Sequence, residues 1–469
     1  MMAPSARKSS DHSTASSQRG ESHQPALRIA LVDAAPAHDA LPPLSRDTSF
    51  WGMAATQFLG AFNDNLFKQL ILLLATPTAI ELASGTATDR QGIAQIVFAA
   101  SFLIFSGVAG FLSDRFSKRP VIILSKVAEI AVMLLGMFGF LYYDLVGVGG
   151  LFAVLFLMGT QSAFFGPSKY GILPEMLRAT DLPRANGIFL MLTFLAIIFG
   201  TAAAGFWLTH SGGRVWVGSL ACVAIAIVGT ITSFAVRRVP VAQPDLKYGG
   251  LSSWGISTDI LRLLRRDRQL LWAIVVVAMF WMIGGIVQQT VNALGKTQLQ
   301  LSDRETSLLA ASIGVGIAIG CALGGYLSRG RVNRNVVVTG AAGLFATLVL
   351  MSLPGGVHQH LLGYSGSIPA LIVMGVFTGM FIVPVQVALQ SRPPRAEKGR
   401  MIATMNQFSW IGIILGAILY QACIALLDAT GWPRSSIFAV AAALMLPVVI
   451  LYRPTDEGVA DPLLETPVY

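Results

Sequence analysis

"GFLSDRFSKR" (residues 110–119) returns in altered form as "GYLSRGRVNR" (325–334), an offset of 215 residues. A second pair stands at nearly the same spacing. "FFGPSKYGIL" (164–173) aligns with "FIVPVQVALQ" (381–390), which brings Pro384 onto Pro167 at an offset of 217. Two independent matches at one spacing mark a duplicated unit. The units are built for lipid. Of the 469 residues 54% are hydrophobic and 12% charged, and the mean hydropathy is +0.66, outside the range of soluble globular chains.

Cutting the chain at Pro, Gly and charge clusters leaves apolar stretches near 50–75, 91–113, 120–142, 148–166, 186–209, 215–235, 271–294, 306–328, 335–353, 368–390, 401–427 and 435–452. Each can cross a hydrocarbon core about 30 Å thick. The fold class is therefore all-α and polytopic, with twelve transmembrane helices in two six-helix halves. The division expected is a disordered cytoplasmic tail (1–46), an N-terminal half (47–235), a cytoplasmic linker (236–270), a C-terminal half (271–452) and a second cytoplasmic tail (453–469).

Orientation follows from Lys and Arg, which favour cytoplasmic loops. The loops after the even-numbered helices hold twenty, among them Arg115, Lys118 and Arg119, Lys169, Arg178 and Arg184, and seven from Arg237 to Arg268. The opposite loops hold five: Arg90, Arg214, Lys296, Arg304 and Arg434. Both termini are expected in the cytoplasm, and the net charge of +9 then reflects topology, with no nucleic-acid partner. Residues 1–46 lack an unbroken apolar stretch of signal-peptide type. Within the linker, "TDILRLLRRDRQLL" (258–271) reads as a basic amphipathic helix on the anionic inner leaflet, or as a solvated linker. Cys222, Cys321 and Cys423 fall inside apolar segments, so they read as packing residues, and no metal or cofactor site is expected.

The first apolar stretch contains a contradiction. "FNDNLFKQ" (62–69) puts Asp64, Lys68, Asn63, Asn65 and Gln69 at the centre of a membrane helix. A charge there costs on the order of 2.5–3.5 kcal/mol, so these residues should face a polar interior. Asp64 and Lys68 lie one turn apart, about 6 Å along the axis. Two readings stay open: a substrate-contacting pair, or an internal pair that neutralises itself and glues helix one to a neighbour. Helix three adds Lys126 and Glu129 at spacing three, with Lys126 near enough to the helix end to snorkel. Helix seven adds Gln288, Gln289 and Asn292. Gly316, Gly320 and Gly324, and again Gly412 and Gly416, make small-residue stripes suited to close helix approach.

Two six-helix halves joined by a basic linker resemble the major facilitator superfamily, and residues 107–120 resemble its signature loop between helices two and three. The resemblance implies that helices one, four, seven and ten line the substrate path. It gives Asp114, Arg115, Lys118 and Arg119 a gating role, with Asp114 pairing with the loop's arginines and a neighbouring helix end as a cytoplasmic latch that breaks when the halves rock. In the second copy Arg329 stands where Asp114 does in the first.

Longer stretches are more specific: "QFLGAFNDNLFK" (57–68), "FFGPSKYGILPEML" (164–177), "RANG" (184–187), "GMFIVPVQVALQ" (379–390) and "EKGRMIATMNQFSWIGIILG" (397–416). Together they resemble the bacterial lysophospholipid transporter family, including the membrane domain fused to acyltransferase and acyl-carrier-protein synthetase modules. The resemblance implies a flippase of the bacterial inner membrane that moves lysophosphatidylethanolamine and related lysolipids to the inner leaflet without ATP. It also implies a functional link to a separate acyltransferase/acyl-ACP synthetase, and we expect a monomer. Lys169 and Tyr170, in the distinctive "PSKYG" block, join Asp64, Lys68, Asn63, Asn65, Lys126, Glu129, Gln288, Gln289 and Asn292 as candidate substrate-binding residues. The chain departs from the family at Glu129 and Gln288, where the stand-alone members carry basic residues.

A lysolipid offers a phosphodiester, usually an amine, and one acyl chain, which a cation, an anion and an apolar slot would bind. The runner-up is a proton-coupled drug or metabolite antiporter. Against it, "GGLFAVLFLMGTQSAFFG" (149–166) has no arginine and "GIFLMLTFLAIIFGTAAAGFWL" (187–208) no proline. An enzyme fits least: none of the six histidines has an Asp five positions on, and "GKT" (295–297) has Thr290 where a phosphate-binding loop needs glycine.

Overall fold

The computed structural model describes residues 41–178, 181–211, 214–241, 258–328, 331–356, 359–393, 398–455 and 457–458. Among them twelve helices are long and apolar enough to cross a membrane. In chain order they are α1 (Thr48–Ala75), α2 (Gln91–Arg115), α3 (Lys118–Leu141), α4 (Tyr143–Gly171), α5 (Leu182–His210) and α6 (Val215–Ser233), then α7 (Arg268–Ala293), α8 (Asp303–Ser328), α9 (Arg334–Ser352), α10 (Gly363–Ser391), α11 (Lys398–Thr430) and α12 (Ile437–Leu451). α4 contains a break at Gly147, whose φ of 60° is a left-handed conformation that glycine adopts without strain.

Each half starts with the same device. Asp47 accepts hydrogen bonds from the Ser49 and Phe50 amides at 3.0 and 3.1 Å, and Asp267 does so from Gln269 and Leu270 at the same distances. An aspartate there satisfies amides that the helix leaves unpaired and meets the positive end of its dipole. Arg237 ties down Asp47 at 2.5 Å, and Arg392 ties down Asp267 at 2.5 Å.

The apolar cores are separate. Phe67, Leu70, Met133, Leu155 and Cys222 belong to one in the N-terminal half, and Phe50, Ile172 and Phe189 to a second there. Ile286, Leu344, Phe381, Tyr420 and Phe438 belong to a core confined to the C-terminal half. The glycine stripes are packing devices, as expected. A Cβ on Gly316 or Gly320 would come within 2.0 or 2.1 Å of a carbonyl oxygen of α10, and one on Gly412 within 2.2 Å of the Ala278 oxygen of α7. Between the halves α5 meets α8, and α2 meets α11, where Phe102 stacks on Trp410 with centroids 3.9 Å apart.

Two expectations at the edges change. The tail expected over 1–46 falls outside the described residues up to 40, but 41–46 pack on the bundle: Leu41 and Leu44 are buried, and the Leu41 carbonyl accepts from Arg178. In the linker, the helix Thr258–Arg266 buries Ile260 and Leu264 in the C-terminal core and leaves Leu261 exposed. The C-terminal tail also begins attached, through the Thr455 hydroxyl to Gln269 at 2.6 Å. Cys222 is buried and the other two cysteines half-buried.

Candidate substrate-binding site

α1 is the axis of the N-terminal half, and its polar residues radiate to different neighbours. Asp64 turns to α4: the Ser162 hydroxyl donates to its Oδ2 at 2.6 Å, and Gln161 Nε2 to its Oδ1 at 3.4 Å. Lys68 turns to α2, with its Nζ 5.5 Å from the centroid of the Phe98 ring. Among the described residues neither side chain has an ion-pair partner within 4 Å, although they share a helix face one turn apart. The self-neutralising pair is not what forms. A half-buried carboxylate holding only neutral donors, and a half-buried ammonium resting on an aromatic face, are each open to an opposite charge from a ligand. Beyond Phe98 the wall continues as Phe102 and then Trp410 of the other half.

A second charged group packs on α1 one turn before Asp64, against Gly60, and is sealed. Lys126 pairs with Glu129, whose other oxygen accepts from Asn63 Nδ2 at 2.8 Å. All three are buried at 1% exposure or less. Lys126 lies between two glycines: a Cβ on Gly60 would be 2.8 Å from its Nζ, and one on Gly229 3.2 Å from its Cε. Snorkelling is therefore not its arrangement. Asn65 Nδ2 donates back to the Ala61 carbonyl at 2.8 Å, on the side of α1 that faces α5.

The remaining candidates divide. Lys169 Nζ lies 5.7 and 4.9 Å from the rings of Phe165 and Tyr170, and Tyr170 is half-exposed. Gln288 on α7 is half-buried, whereas Gln289 bonds the Gly285 carbonyl at 3.1 Å. Asn292 joins the two halves, accepting from Gln69 at 3.0 Å and donating to Gln91 at 2.9 Å. Around it gather other bonds that cross between the halves at the end of the bundle formed by residues 76–90. Tyr420 of α11 donates to Asp89 at 2.7 Å, Gln421 donates to the Asp89 carbonyl at 2.8 Å, Lys296 to the Leu73 carbonyl at 2.8 Å and Thr297 to the Pro77 carbonyl at 2.8 Å. Asp89 lies in the turn before α2, and burial holds its carboxyl above the usual range.

The opposite end differs. Asp114 is exposed, with no hydrogen-bond or ion-pair partner among the described residues, so the latch expected there is not formed in this conformation. The physical reason is that the loop's cations are engaged within their own half: Lys118 pairs with Glu175, and Arg119 donates to the Phe234 carbonyl at 3.0 Å. The sequence reading missed Gln161, Ser162, Asp89, Gln91 and Tyr420. The available signal was their polarity inside or beside apolar segments.

Residues 52–417 match the family model described as Major Facilitator Superfamily. Over 401 residues the chain is 28% identical to the lysophospholipid transporter LplT of Serratia proteamaculans (strain 568), which covers 82% of this chain and 90% of the relative. It is likewise 28% identical over 391 residues to the lysophospholipid transporter LplT of Enterobacter sp. (strain 638), covering 81% and 90%. Among solved structures, a mutant of the nucleoside transporter NupG superposes with a TM-score of 0.63 at 12% identity, covering 85% of this chain and 98% of that one. The major facilitator transporter FucP in its outward conformation superposes with a TM-score of 0.55 at 16% identity, covering 86% and 97%. At such identities these structures speak for the fold alone.

Proposed function

This chain belongs to the Major Facilitator Superfamily and is a multi-pass membrane transporter, and from that premise we propose that it is a lysophospholipid flippase. In this reading it moves lysophosphatidylethanolamine-like lipids across the bacterial inner membrane by alternating access, for reacylation by a separate enzyme. One observation carries the proposal: the similarity to relatives named lysophospholipid transporters runs through both halves, over 401 residues. We orient the 114–119 end and both termini towards the cytoplasm, on the positive-inside distribution. The sealed 76–90 end is then the outer mouth.

The side-chain chemistry supports this cargo. Asp64, held by Ser162 and Gln161, would receive the headgroup ammonium, and Lys68 would leave the Phe98 face for the phosphate. The aromatic wall of Phe98, Phe102 and Trp410 would flank the acyl chain. Lys169, Tyr170 and Gln288 stand as accessory contacts. Lys126, Glu129 and Asn63 act as a brace between α1 and α3, since their charges are already satisfied inside the half. Gln289 and Asn292 belong to the seam between the halves.

One observation favours the second reading, a proton-coupled antiporter: Asp64 has only neutral donors and could exchange a proton. Uptake of labelled lysophosphatidylethanolamine by spheroplasts with and without the protein, beside a drug-resistance panel, separates the two. Lipid uptake that depends on the protein supports the flippase; resistance without lipid uptake selects the antiporter.

A further inference from the structure

Asp89 is 2% exposed, although it stands in a turn between two membrane helices at the outer mouth. Its Oδ1 accepts from the Gln91 amide at 3.0 Å, and its Oδ2 from Tyr420 Oη at 2.7 Å and Gln91 Nε2 at 3.2 Å. All of these donors are neutral, and one of them comes from the opposite half. Gln91 extends the chain across the seam to Asn292 and Gln69. Among the described residues no cation lies within ion-pairing distance of the carboxylate. Arg434, at the turn between α11 and α12, acts on it from farther away, and is itself paired with Asp428 at 2.5 Å. The neighbouring Arg90 is exposed and turned to Thr88 at 3.4 Å.

Closing this mouth therefore removes a carboxylate from water without giving it a cation. That costs far more for the charged form than for the neutral acid. We propose that closure of the outer mouth takes up one proton at Asp89, so that occupancy of this site by a proton biases which way the transporter faces. The proton comes from the outer solvent and binds Oδ2. Opening returns the carboxyl to water, where it loses the proton.

The sign is fixed by linkage. Burial, the largest influence, raises the carboxyl above its ordinary range in the closed state, while the hydrogen bonds from Tyr420 and Gln91 and the field of Arg434 only partly oppose it. Closure is then favoured in full below the ordinary carboxylate range, and is lost as pH rises through the closed-state value. Each unit between the closed and open values changes the closed-to-open ratio about tenfold.

The word "outer" rests on the orientation proposed above, but the test does not, and it needs no cargo. Spin labels at Ser84 and Trp432, exposed positions on opposite halves at this mouth, report its width by pulsed electron paramagnetic resonance. The three native cysteines are first replaced by alanine. As the pH is raised from the ordinary carboxylate value of about 4, the distance distribution of the parent should move from short to long, while Asp89→Asn should stay short throughout. A parent distribution that does not move, or an Asn variant that keeps the parent's response, overturns the proposal. If the Asn variant fails to fold, Tyr420→Phe decides: it should widen the mouth at each pH, and a profile identical to the parent's is the overturning result. Failed lysolipid uptake would sink the proposed cargo and leave this proposal standing.

Discussion

The two halves repeat one scaffold and differ in what they bury. Both begin on an aspartate cap tied to an arginine, at Asp47 and Asp267. Yet the membrane interior of the N-terminal half holds Asp64, Lys68, Lys126 and Glu129, whereas the stretches 269–295, 306–328, 363–391 and 401–427 of its partner contain no charged residue at all. There the polar content is hydroxyl and amide, and close contacts are made by glycine. The scaffold is set by caps and small-residue packing, which both halves need. Charge is expensive in lipid and is gathered where it acts. On the function proposed above, headgroup recognition belongs to the N-terminal half, while the glycine contacts hold the helices of the C-terminal half to one another.

The largest expected effect comes from the sealed pair. Lys126→Met leaves Glu129 buried without its cation, at a cost of about 3–5 kcal/mol. The folded yield in membranes should fall steeply, and the double variant Lys126→Met with Glu129→Leu should recover much of it. Thermal unfolding in detergent checks both. A stable single variant would mean that the pair is not a brace, and would return Lys126 to the substrate candidates.

Asp64 and Lys68 should behave in the opposite way. Asp64→Asn and Lys68→Gln should insert and fold, and each should lose about ten- to a hundredfold in initial lysolipid uptake, the range set by a charge-assisted hydrogen bond of about 1.5–3 kcal/mol. The double variant should do no better than either single one, because the two side chains reach different partners. Uptake normalised to folded protein is the measurement. Recovery in the double variant to near the parent rate would make the pair structural and erase the division between the two charged groups.

These contrasts also show what the sequence made legible. Helix limits came within a few residues, as with 91–113 against Gln91–Arg115, because apolar length and flanking charge are local properties. α10 starts at Gly363, five residues before the expected limit, and carries Pro369 in its second turn. Asp64 and Lys68 stood out because charge inside an apolar run is rare. Their partners did not, because one serine or glutamine in α4 looks neutral until folding brings it to a carboxylate. The i,i+3 spacing of Lys126 and Glu129 does not say whether their shared face meets a cavity or a neighbouring helix. Asp89 escaped notice for a related reason: nothing local marks a loop aspartate as buried by a tyrosine 331 residues away.

The smallest expected effect concerns the end where the halves are not latched. Asp114 is exposed and without a partner among the described residues, so replacing it removes nothing from the present conformation. Any bond it makes must belong to the state in which the cytoplasmic end closes and the outer mouth opens. Asp114→Ala should therefore destabilise only that other state and shift the population towards this one. An ion pair at a wet helix end contributes at most about 1 kcal/mol, which limits the shift to about two- to fivefold. The Ser84–Trp432 spin pair, held at one pH where both populations are visible, should report a larger short-distance fraction than the parent. Cysteine labelling at the two mouths should move with it, falling at the outer one and rising at the cytoplasmic one. If neither readout changes, the loop at 114–119 does no more than anchor the helix ends by its positive charge, and the asymmetry between the two mouths is a matter of hydrogen bonding at Asp89, Gln91 and Asn292 alone.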